Sequence, residues 1–313
     1  MANNGCGADS IAVAGGITAK SKIYGVIGHP IAHSLSPQIH NTLARELGAD
    51  MAYLAFSPNP ADIRLSFEGL FAAGVRGLNV TMPFKGDAYA FAGARHPETD
   101  WFMAANTLVA GGGDGLVHAY NTDFRGFADA FEMQAGRSFD GLSVLMLGAG
   151  ASCRTLAFAV AGRNARRVAI ASRDRGKARG IADHCRERFK KCDFENICYS
   201  DGEMYDIIAQ SDVIVNTTPV GMDPAEDACP GGIEYAFSPS QCAADLIYSP
   251  RETPFLRRAR MAGATAINGL GMLICQAALA FELFTGISVP EGLLKRMFPL
   301  FQQYADARGG GDG

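Results

Sequence analysis

Apolar runs of strand length alternate with stretches of helical periodicity along most of this 313-residue chain. In the first third, apolar runs at 22–28, 51–56 and 78–81 predict strands, and the segments 37–47 and 61–73 between them predict helices. Strands that alternate with helices indicate an α/β fold with largely parallel sheets.

A second α/β series follows a helix predicted at 124–134. Two apolar runs, 104–110 and 116–120, precede that helix and are joined by the turn sequence Gly-Gly-Gly-Asp-Gly. The predicted strands of the second series are 143–147, 167–171, 212–216, 243–248 and 264–267, with a helix at 153–161 after the first of them. Because domains commonly contain about 150 residues, we expect two domains in this chain.

The composition narrows the class of protein. The chain has 28 Lys and Arg against 32 Asp and Glu, which gives a net charge of −4, so neither nucleic acid nor an anionic membrane is an expected partner. The longest apolar stretch, 272–284, is too short to span a bilayer, and no basic residue precedes Lys20 as it would in a signal peptide. We therefore expect a cytoplasmic protein.

The eight cysteines are scattered and form no Cys-x-x-Cys pair, so we expect reduced thiols. The closest group of thiols and imidazole is His184, Cys185, Cys192 and Cys198. Its spacing fits no compact zinc site, and no metal is expected.

A glycine loop opens the second series. The apolar run at 143–147 leads directly into Gly-Ala-Gly-Ala-Ser-Cys at 148–153, and a helix follows. Glycine lets a backbone approach a pyrophosphate closely, and the free N–H groups of a helix N-terminus bind the anion. Cys153 stands where the dinucleotide-binding pattern has its third glycine, so the match is partial.

The end of the next predicted strand bears on the choice between NADP and NAD. Ser172 and Arg173 stand there, where an NAD site usually has an acidic residue, and Lys177 follows in the first helical turn. This arrangement predicts NADP, with NAD as a weaker alternative. Asp174 leaves two interpretations open, since its carboxylate can accept from a ribose hydroxyl or cap the following helix.

Four polar clusters lie at strand ends or in loops of the first half, where α/β proteins build sites. Ser34 and Ser36 are two residues apart, and Ser36 is also a candidate N-cap for the helix beginning at Pro37. The other clusters are 79–85, 105–107 and 121–123. Their hydroxyls and amides, with one lysine and one aspartate, predict a pocket for a polyhydroxylated ligand.

With these clusters in order, the chain resembles the shikimate/quinate dehydrogenase family over nearly all of residues 22–290. The resembling segments are GHPIAHSLSPQIHN (28–41), GLNVTMPFK (77–85), AANTLV (104–109), NTDFRGF (121–127), LGAGASCR (147–154), NTTPVGM (216–222), DLIYSPRETPFL (245–256) and NGLGMLICQAALAFELFTG (268–286). The resemblance implies reversible, NADPH-dependent reduction of 3-dehydroshikimate to shikimate. It also implies a discontinuous α/β substrate domain and a Rossmann-like NADP-binding domain.

The resemblance assigns roles to individual residues. Lys85 and Asp123 would form the catalytic pair, and Ser34 and Ser36 would bind the substrate carboxylate. The remaining substrate-binding residues would be Asn79, Thr81, Asn106, Tyr248 and Gln276. On the cofactor side, the implied residues are Gly148, Ala149, Gly150, Ala151, Ser152, Ser172, Arg173, Lys177, Thr217, Gly269 and Met272.

The same resemblance implies domain boundaries. Residues 22–122 and the returning helices at 269–307 would form the substrate domain, and 123–268 the NADP domain, with an N-terminal extension at 1–21 and a flexible tail at 308–313. The chain would be a monomer or a homodimer. Two alternatives remain, a quinate or dual quinate/shikimate dehydrogenase and a catalytically inactive ligand-sensing regulator of the same fold, and intact Lys85 and Asp123 argue against the second.

Overall fold

The structure is a computed structural model that describes residues 16–223 and 225–309. Its strands form two six-stranded sheets. The first sheet contains β1 (Lys22–Ile27), β2 (Met51–Phe56), β3 (Gly77–Val80), β4 (Ala94–Arg95), β5 (Thr107–Ala110) and β6 (Val117–Tyr120). The second contains β7 (Ser143–Leu147), β8 (Arg167–Ser172), β9 (Asp193–Cys198), β10 (Val213–Asn216), β11 (Cys242–Asp245) and β12 (Thr265–Ile267).

Helices connect the strands and extend the chain beyond the last one. They are α1 (Ser36–Leu47), α2 (Ile63–Ala72), α3 (Lys85–Phe91), α4 (Pro97–Phe102), α5 (Asp123–Ala135), α6 (Ala151–Gly162), α7 (Arg175–Arg188), α8 (Met204–Gln210), α9 (Pro254–Met261), α10 (Leu270–Thr285) and α11 (Glu291–Gly309). Two short 3₁₀ turns occupy Pro60–Asp62 and Pro230–Gly232. The α/β fold predicted from the sequence is confirmed.

The first sheet is mixed. Its strand order is β2-β1-β3-β5-β6-β4, in which β1 is parallel to β2 and β3. The hairpin of β5 and β6 runs antiparallel, on both sides of the predicted glycine turn. Helices α1, α10 and α11 pack on one face of this sheet, and α2 and α3 pack on the other.

The second sheet is parallel throughout, in the order β12-β11-β10-β7-β8-β9. Helices α5, α6 and α7 cover one face, and α8 and α9 cover the other. The strand order reverses between β7 and β10, and ligands of open α/β sheets bind in the crevice at such a switch point. The glycine loop follows β7 and therefore lies at this crevice.

Two local predictions need correction. Ser36 is not the N-cap of α1, because the helix already includes it, and Leu35 stands at the cap position without a side-chain hydrogen bond. The strand β9 was not predicted, since Asp193 and Glu195 interrupt its apolar pattern at the edge of the sheet.

The structure also bears on the predictions about thiols, metal sites and membrane-spanning helices. Every cysteine in the described ranges is a free thiol, while Cys6 lies outside them. Within the described residues, no three His, Cys, Asp or Glu side chains meet as a metal site, and none of the helices has the length and apolar character to cross a membrane. The predicted extension and tail lie mostly outside the description, at 1–15 and 310–313.

The helices α5 and α10 are in direct backbone contact, and they join the two halves of the molecule. Phe127 and Phe131 of α5 belong to a core of the second sheet, whereas Ile274 and Phe281 of α10 belong to a core of the first. The contact is possible because position 126 is glycine. A Cβ there would lie 2.6 Å from the Cβ of Gln276 and 2.7 Å from its backbone nitrogen.

We expect Gly126→Ala to lower the free energy of unfolding by about 1–3 kcal/mol, since overpacking forces neighbouring backbone apart. Denaturant unfolding would measure the loss. Gly180→Ala on the exposed face of α7 is the matched control, because nothing lies within 4 Å of its Cβ position. Alanine there should stabilise by up to about 1 kcal/mol through helix propensity. Equal effects of the two substitutions would contradict the close contact.

Candidate active site

A cavity of about 430 Å³ lies beyond the carboxyl ends of β1 and β3 and extends to α10. We call it the polar pocket. It brings together all the residues predicted to bind or transform the substrate, namely Ser34, Ser36, Asn79, Thr81, Lys85, Asn106, Asp123, Tyr248 and Gln276. Gly269 and Met272, predicted on the cofactor side, also line this pocket.

Lys85 and Asp123 form an ion pair in the polar pocket. Each is the first residue of a helix, α3 and α5, and the two helix starts bring Lys85 Nζ to 2.6 Å from Asp123 Oδ2. The side chains are 31% and 14% exposed, so the pair is partly shielded from solvent but still reachable from the cavity. An ammonium held against a carboxylate in this way can exchange a proton with a ligand oxygen.

Asn106 orients the other oxygen of Asp123. Its Nδ2 donates to Asp123 Oδ1 at 2.8 Å and to Thr122 Oγ1 at 2.9 Å, and its Oδ1 accepts from the Thr122 backbone N–H at 2.7 Å. Gln276 Oε1 lies 3.4 Å from the same Nδ2. The amide of Asn106 is therefore committed to the protein, and its geometry fixes the direction in which Asp123 points.

The side-chain amide of Asn79 is also hydrogen-bonded within the protein. Its Nδ2 donates to Thr107 Oγ1 at 3.0 Å and to the Asn106 carbonyl at 3.3 Å, and its Oδ1 accepts from the Tyr53 hydroxyl at 2.6 Å. The His40 ring stacks on Tyr53 with 4.0 Å between centroids, and burial lowers the pKa of His40 to about 3. The imidazole of His40 is therefore uncharged beside Asn79.

Ser34 and Ser36 line the polar pocket just before and at the start of α1. The Ser34 hydroxyl oxygen accepts from the Ser36 backbone N–H at 3.2 Å, which holds the turn between the two serines. Accepting that bond leaves the Ser34 hydroxyl hydrogen able to donate into the cavity.

A second cavity, of about 660 Å³, lies at the switch point of the parallel sheet. We call it the glycine-loop pocket. Gly148, Ala149, Gly150, Ser172, Arg173, Lys177 and Thr217 line it, all of them predicted cofactor residues. Ala151 and Ser152 begin α6 beside it and are exposed.

The glycine loop fits a dinucleotide pyrophosphate. Gly148 has a φ of +108°, and a Cβ there would lie 2.8 Å from Thr217 Oγ1. Among the described residues, no side chain caps the N-terminus of α6, and its first turn has no acidic residue, so its N–H groups are open to an anion. Cys153, at the third glycine position, is fully buried, and burial raises the pKa of its thiol to about 12.

The charges at the rim of this pocket resolve the two interpretations of Asp174. Its Oδ1 accepts from the Lys177 backbone N–H at 3.0 Å, so Asp174 is the N-cap of α7. Its Oδ2 lies 3.8 Å from Lys177 Nζ, while Arg175 pairs with Asp201 at 3.5 Å. Arg173 is exposed and lines the pocket, whereas Arg175 and Lys177 each have a carboxylate within 4 Å.

Several lining residues were not predicted. Tyr199 lies on the floor of the glycine-loop pocket, and its ring packs against Gly231 of the 3₁₀ turn. Tyr199 follows β9, so recognising that strand would have pointed to it. Met222, Leu246 and Leu273 add apolar surface to the polar pocket, and nothing in their sequence pattern separates them from ordinary core residues.

Asp245 is a further residue that the sequence analysis missed. It is 2% exposed at the carboxyl end of β11, and its carboxylate accepts from Thr253 Oγ1 at 2.7 Å, the Ile247 N–H at 3.0 Å and Asn216 Nδ2 at 3.1 Å. Burial is the main cause that raises the pKa of Asp245 to about 6, and these hydrogen bonds oppose it. The available sequence signal was an acidic residue inside the apolar run predicted as a strand at 243–248, which in the structure ends at Asp245.

Family models match both ends of the chain. The model described as shikimate dehydrogenase substrate binding domain matches residues 26–108, and the one described as shikimate 5'-dehydrogenase C-terminal domain matches residues 269–296. Among curated proteins, the chain is similar to shikimate dehydrogenase (NADP(+)) of Caldanaerobacter subterraneus subsp. tengcongensis. The two are 36% identical over 271 residues, which cover 86% of this chain and 94% of the relative.

Solved structures show the same likeness over both sheets. A crystal structure of a shikimate dehydrogenase in complex with NADP+ has a TM-score of 0.79 and 33% identity, covering 90% of this chain and 95% of that one. Shikimate 5-dehydrogenase from Listeria monocytogenes, in complex with shikimate and NAD, has a TM-score of 0.82 and 29% identity, covering 91% and 99%.

The raised pKa of Asp245 predicts a pH-dependent contribution to stability. Its folded pKa of about 6 exceeds the ordinary 3.8, so the folded protein holds this proton more tightly and loses stability as the pH rises from about 4 to about 6. At 1.36 kcal/mol per pKa unit, the loss is at most about 3 kcal/mol.

Asp245→Asn removes this titration, so we expect the stability of the variant relative to the wild type to increase as the pH rises from 4 to 7. Denaturant unfolding of both proteins at each pH measures the difference in their free energies of unfolding. Hydrogen bonds that the variant lacks at every pH shift this difference by a constant, so they do not affect how it changes with pH. Parallel stability curves would contradict the raised pKa.

Proposed function

Because the chain belongs to the shikimate dehydrogenase family, we propose that it catalyses the reversible, NADP-dependent reduction of 3-dehydroshikimate to shikimate. The observation that carries the proposal is the 2.6 Å ion pair of Lys85 and Asp123 in a pocket lined by hydroxyls and amides. The glycine-loop pocket supplies the second requirement, since its open helix N-terminus and its arginine suit a phosphorylated dinucleotide.

NADPH, when bound, supplies the hydride. Gly148 to Ser152 would hold its pyrophosphate against the α6 N-terminus, with Thr217 beside the loop. Ser172, Arg173 and Lys177 would surround the adenosine phosphate, because a guanidinium grips a phosphate with two hydrogen bonds. Gly269 and Met272 lie in the polar pocket and would stand where the two ligands meet.

Lys85 is the proton donor of this mechanism. During ketone reduction the substrate oxygen gains negative charge, and a proton moves to it from Nζ of Lys85. Asp123 Oδ2 holds the ammonium in place, and Asn106 prevents the carboxylate from rotating away by donating to Oδ1. In the reverse direction Nζ receives the hydroxyl proton.

The remaining polar groups would recognise the substrate by matching donors to acceptors. The hydroxyls of Ser34 and Ser36 would donate to the ring carboxylate, and Asn79 would contact a ring hydroxyl from β3. Thr81 and Gln276 would contact the ring from β3 and α10, and Tyr248 would help close the pocket. Asn106 would act chiefly through Asp123, because its amide is already hydrogen-bonded within the protein.

The packing of the hydrophobic cores supports the proposed domain boundaries. Helices α10 and α11 pack with β1 and α1, which supports assigning 269–307 to the substrate domain with 22–122. Helix α5 begins the NADP domain at 123, since its phenylalanines pack with the second sheet.

Lys85→Ala should lower kcat by roughly 10²- to 10⁴-fold, the usual effect of losing general acid–base catalysis, with a much smaller change in the KM for shikimate. Asp123→Asn should also lower kcat strongly, and the double variant should lose much less than the product of both effects, since the two residues act together. Steady-state kinetics measure each variant, with exposed Lys190→Ala as the matched control. Near-normal kcat in Lys85→Ala would overturn the assignment.

The function and the cofactor are tested together by assaying shikimate and quinate with NADP and NAD. We expect shikimate with NADP to give the highest kcat/KM. Arg173→Ala should raise the KM for NADP at least about tenfold, because hydrogen bonds to charged groups contribute about 1.5–3 kcal/mol. The KM for NAD should change little.

Arg179→Ala, further along α7, is the matched control for the loss of one guanidinium. A quinate kcat/KM equal to that of shikimate would favour the quinate or dual alternative. No turnover in any combination would favour the inactive regulator.

A further inference from the structure

The buried carboxylate of Asp245 connects two loops that enter different pockets. On one side it accepts from Asn216 Nδ2, at the carboxyl end of β10. On the other side it accepts from Thr253 Oγ1 and from the backbone N–H of Ile247. The catalytic scheme above does not use Asp245, although the loops that it bonds line both pockets.

The Asn216 side shapes the loop that lines the glycine-loop pocket. Asn216 Oδ1 accepts from the Thr218 N–H at 2.9 Å and from Thr218 Oγ1 at 2.7 Å. Asn216 Nδ2 also donates to the Val220 carbonyl at 3.2 Å. Thr218 and Val220 line the cavity, so the orientation of Asn216 determines the shape of this wall.

The Thr253 side shapes the loop that lines the polar pocket. Ile247 is hydrogen-bonded to Asp245 through its N–H and to the Gly269 N–H through its carbonyl at 3.0 Å. Its neighbours Leu246 and Tyr248 both line the polar pocket. Thr253 lies at the other end of the same loop, where its hydroxyl donates to Asp245. The same hydroxyl oxygen accepts from the Leu256 N–H, so Thr253 is also the N-cap of α9.

We propose that Asp245 is a positioning residue for both ligands. Its single buried carboxylate fixes the position of the cofactor loop at 216–220 relative to the substrate loop at 246–253. The carboxylate bonds the first loop through Asn216 and the second through Thr253 and Ile247, so substitution of Asn216 and of Thr253 tests the two loops one at a time. This inference rests on the proposed function for the identity of the ligands.

The test measures NADPH affinity by fluorescence titration, which needs no turnover, together with the KM for shikimate, kcat and the unfolding midpoint. We expect Asn216→Ala to weaken NADPH binding and Thr253→Val to raise the KM for shikimate. Each change should be about fivefold, the factor expected for one net hydrogen bond. Asp245→Ala should produce both effects, and Thr253→Ser should retain wild-type values because it keeps the hydroxyl.

A purely structural role would lower the unfolding midpoint and leave both affinities of the folded protein unchanged, which would overturn the proposal. So would an Asp245→Ala variant in which only one ligand is affected. If Asp245→Ala does not fold, Asp245→Asn takes its place, with the same two effects expected at smaller size. Absence of shikimate turnover in the wild type would instead reject the proposed function. The role of Asp245 would still be tested in that case, because the NADPH titration needs no turnover.

Discussion

The backbone contact between α5 and α10 at Gly126 is the constraint on which the site depends. It brings Gln276 of α10 against the first turn of α5, where Asp123 begins the helix. Because α5 packs into one sheet and α10 into the other, this contact joins the two halves of the molecule. A larger residue at 126 would separate the helices and with them the groups around Asn106.

The sequence predicted the fold class because its strongest signals are local. The strands β7, β8 and β10 are short apolar runs followed by turn or helix signals, and a buried parallel strand produces that pattern. Strand β9 was missed for the opposite reason, since Asp193 and Glu195 suit the edge of a sheet and break the apolar run. With β9 unseen, Tyr199 had no predicted place in the pocket.

The predicted polar residues of the pocket do come together, but their individual functions depend on contacts that sequence spacing does not contain. The residue type of Asn106 alone predicted a ligand contact, whereas its hydrogen bonds to Thr122 and Asp123 orient the carboxylate of Asp123. Ser36 resembled a helix cap, and only the backbone shows that α1 already includes it. Asp245 was missed because its importance comes from three hydrogen-bond donors on two separate loops.

Cofactor choice follows from how charges are distributed around α7. Asp174 caps the helix and lies near Lys177, and Asp201 pairs with Arg175, so two of the three cations have a carboxylate within 4 Å. These pairs are exposed, and exposed ion pairs contribute little energy. A dianionic phosphate can therefore attract the Lys177 ammonium away from Asp174 at a small cost in free energy. The cap bond of Asp174 involves the Lys177 backbone N–H, so it leaves the Lys177 side chain free to move. We therefore expect Arg173, which is exposed and lines the cavity, to provide the main discrimination between a 2′-phosphate and a 2′-hydroxyl.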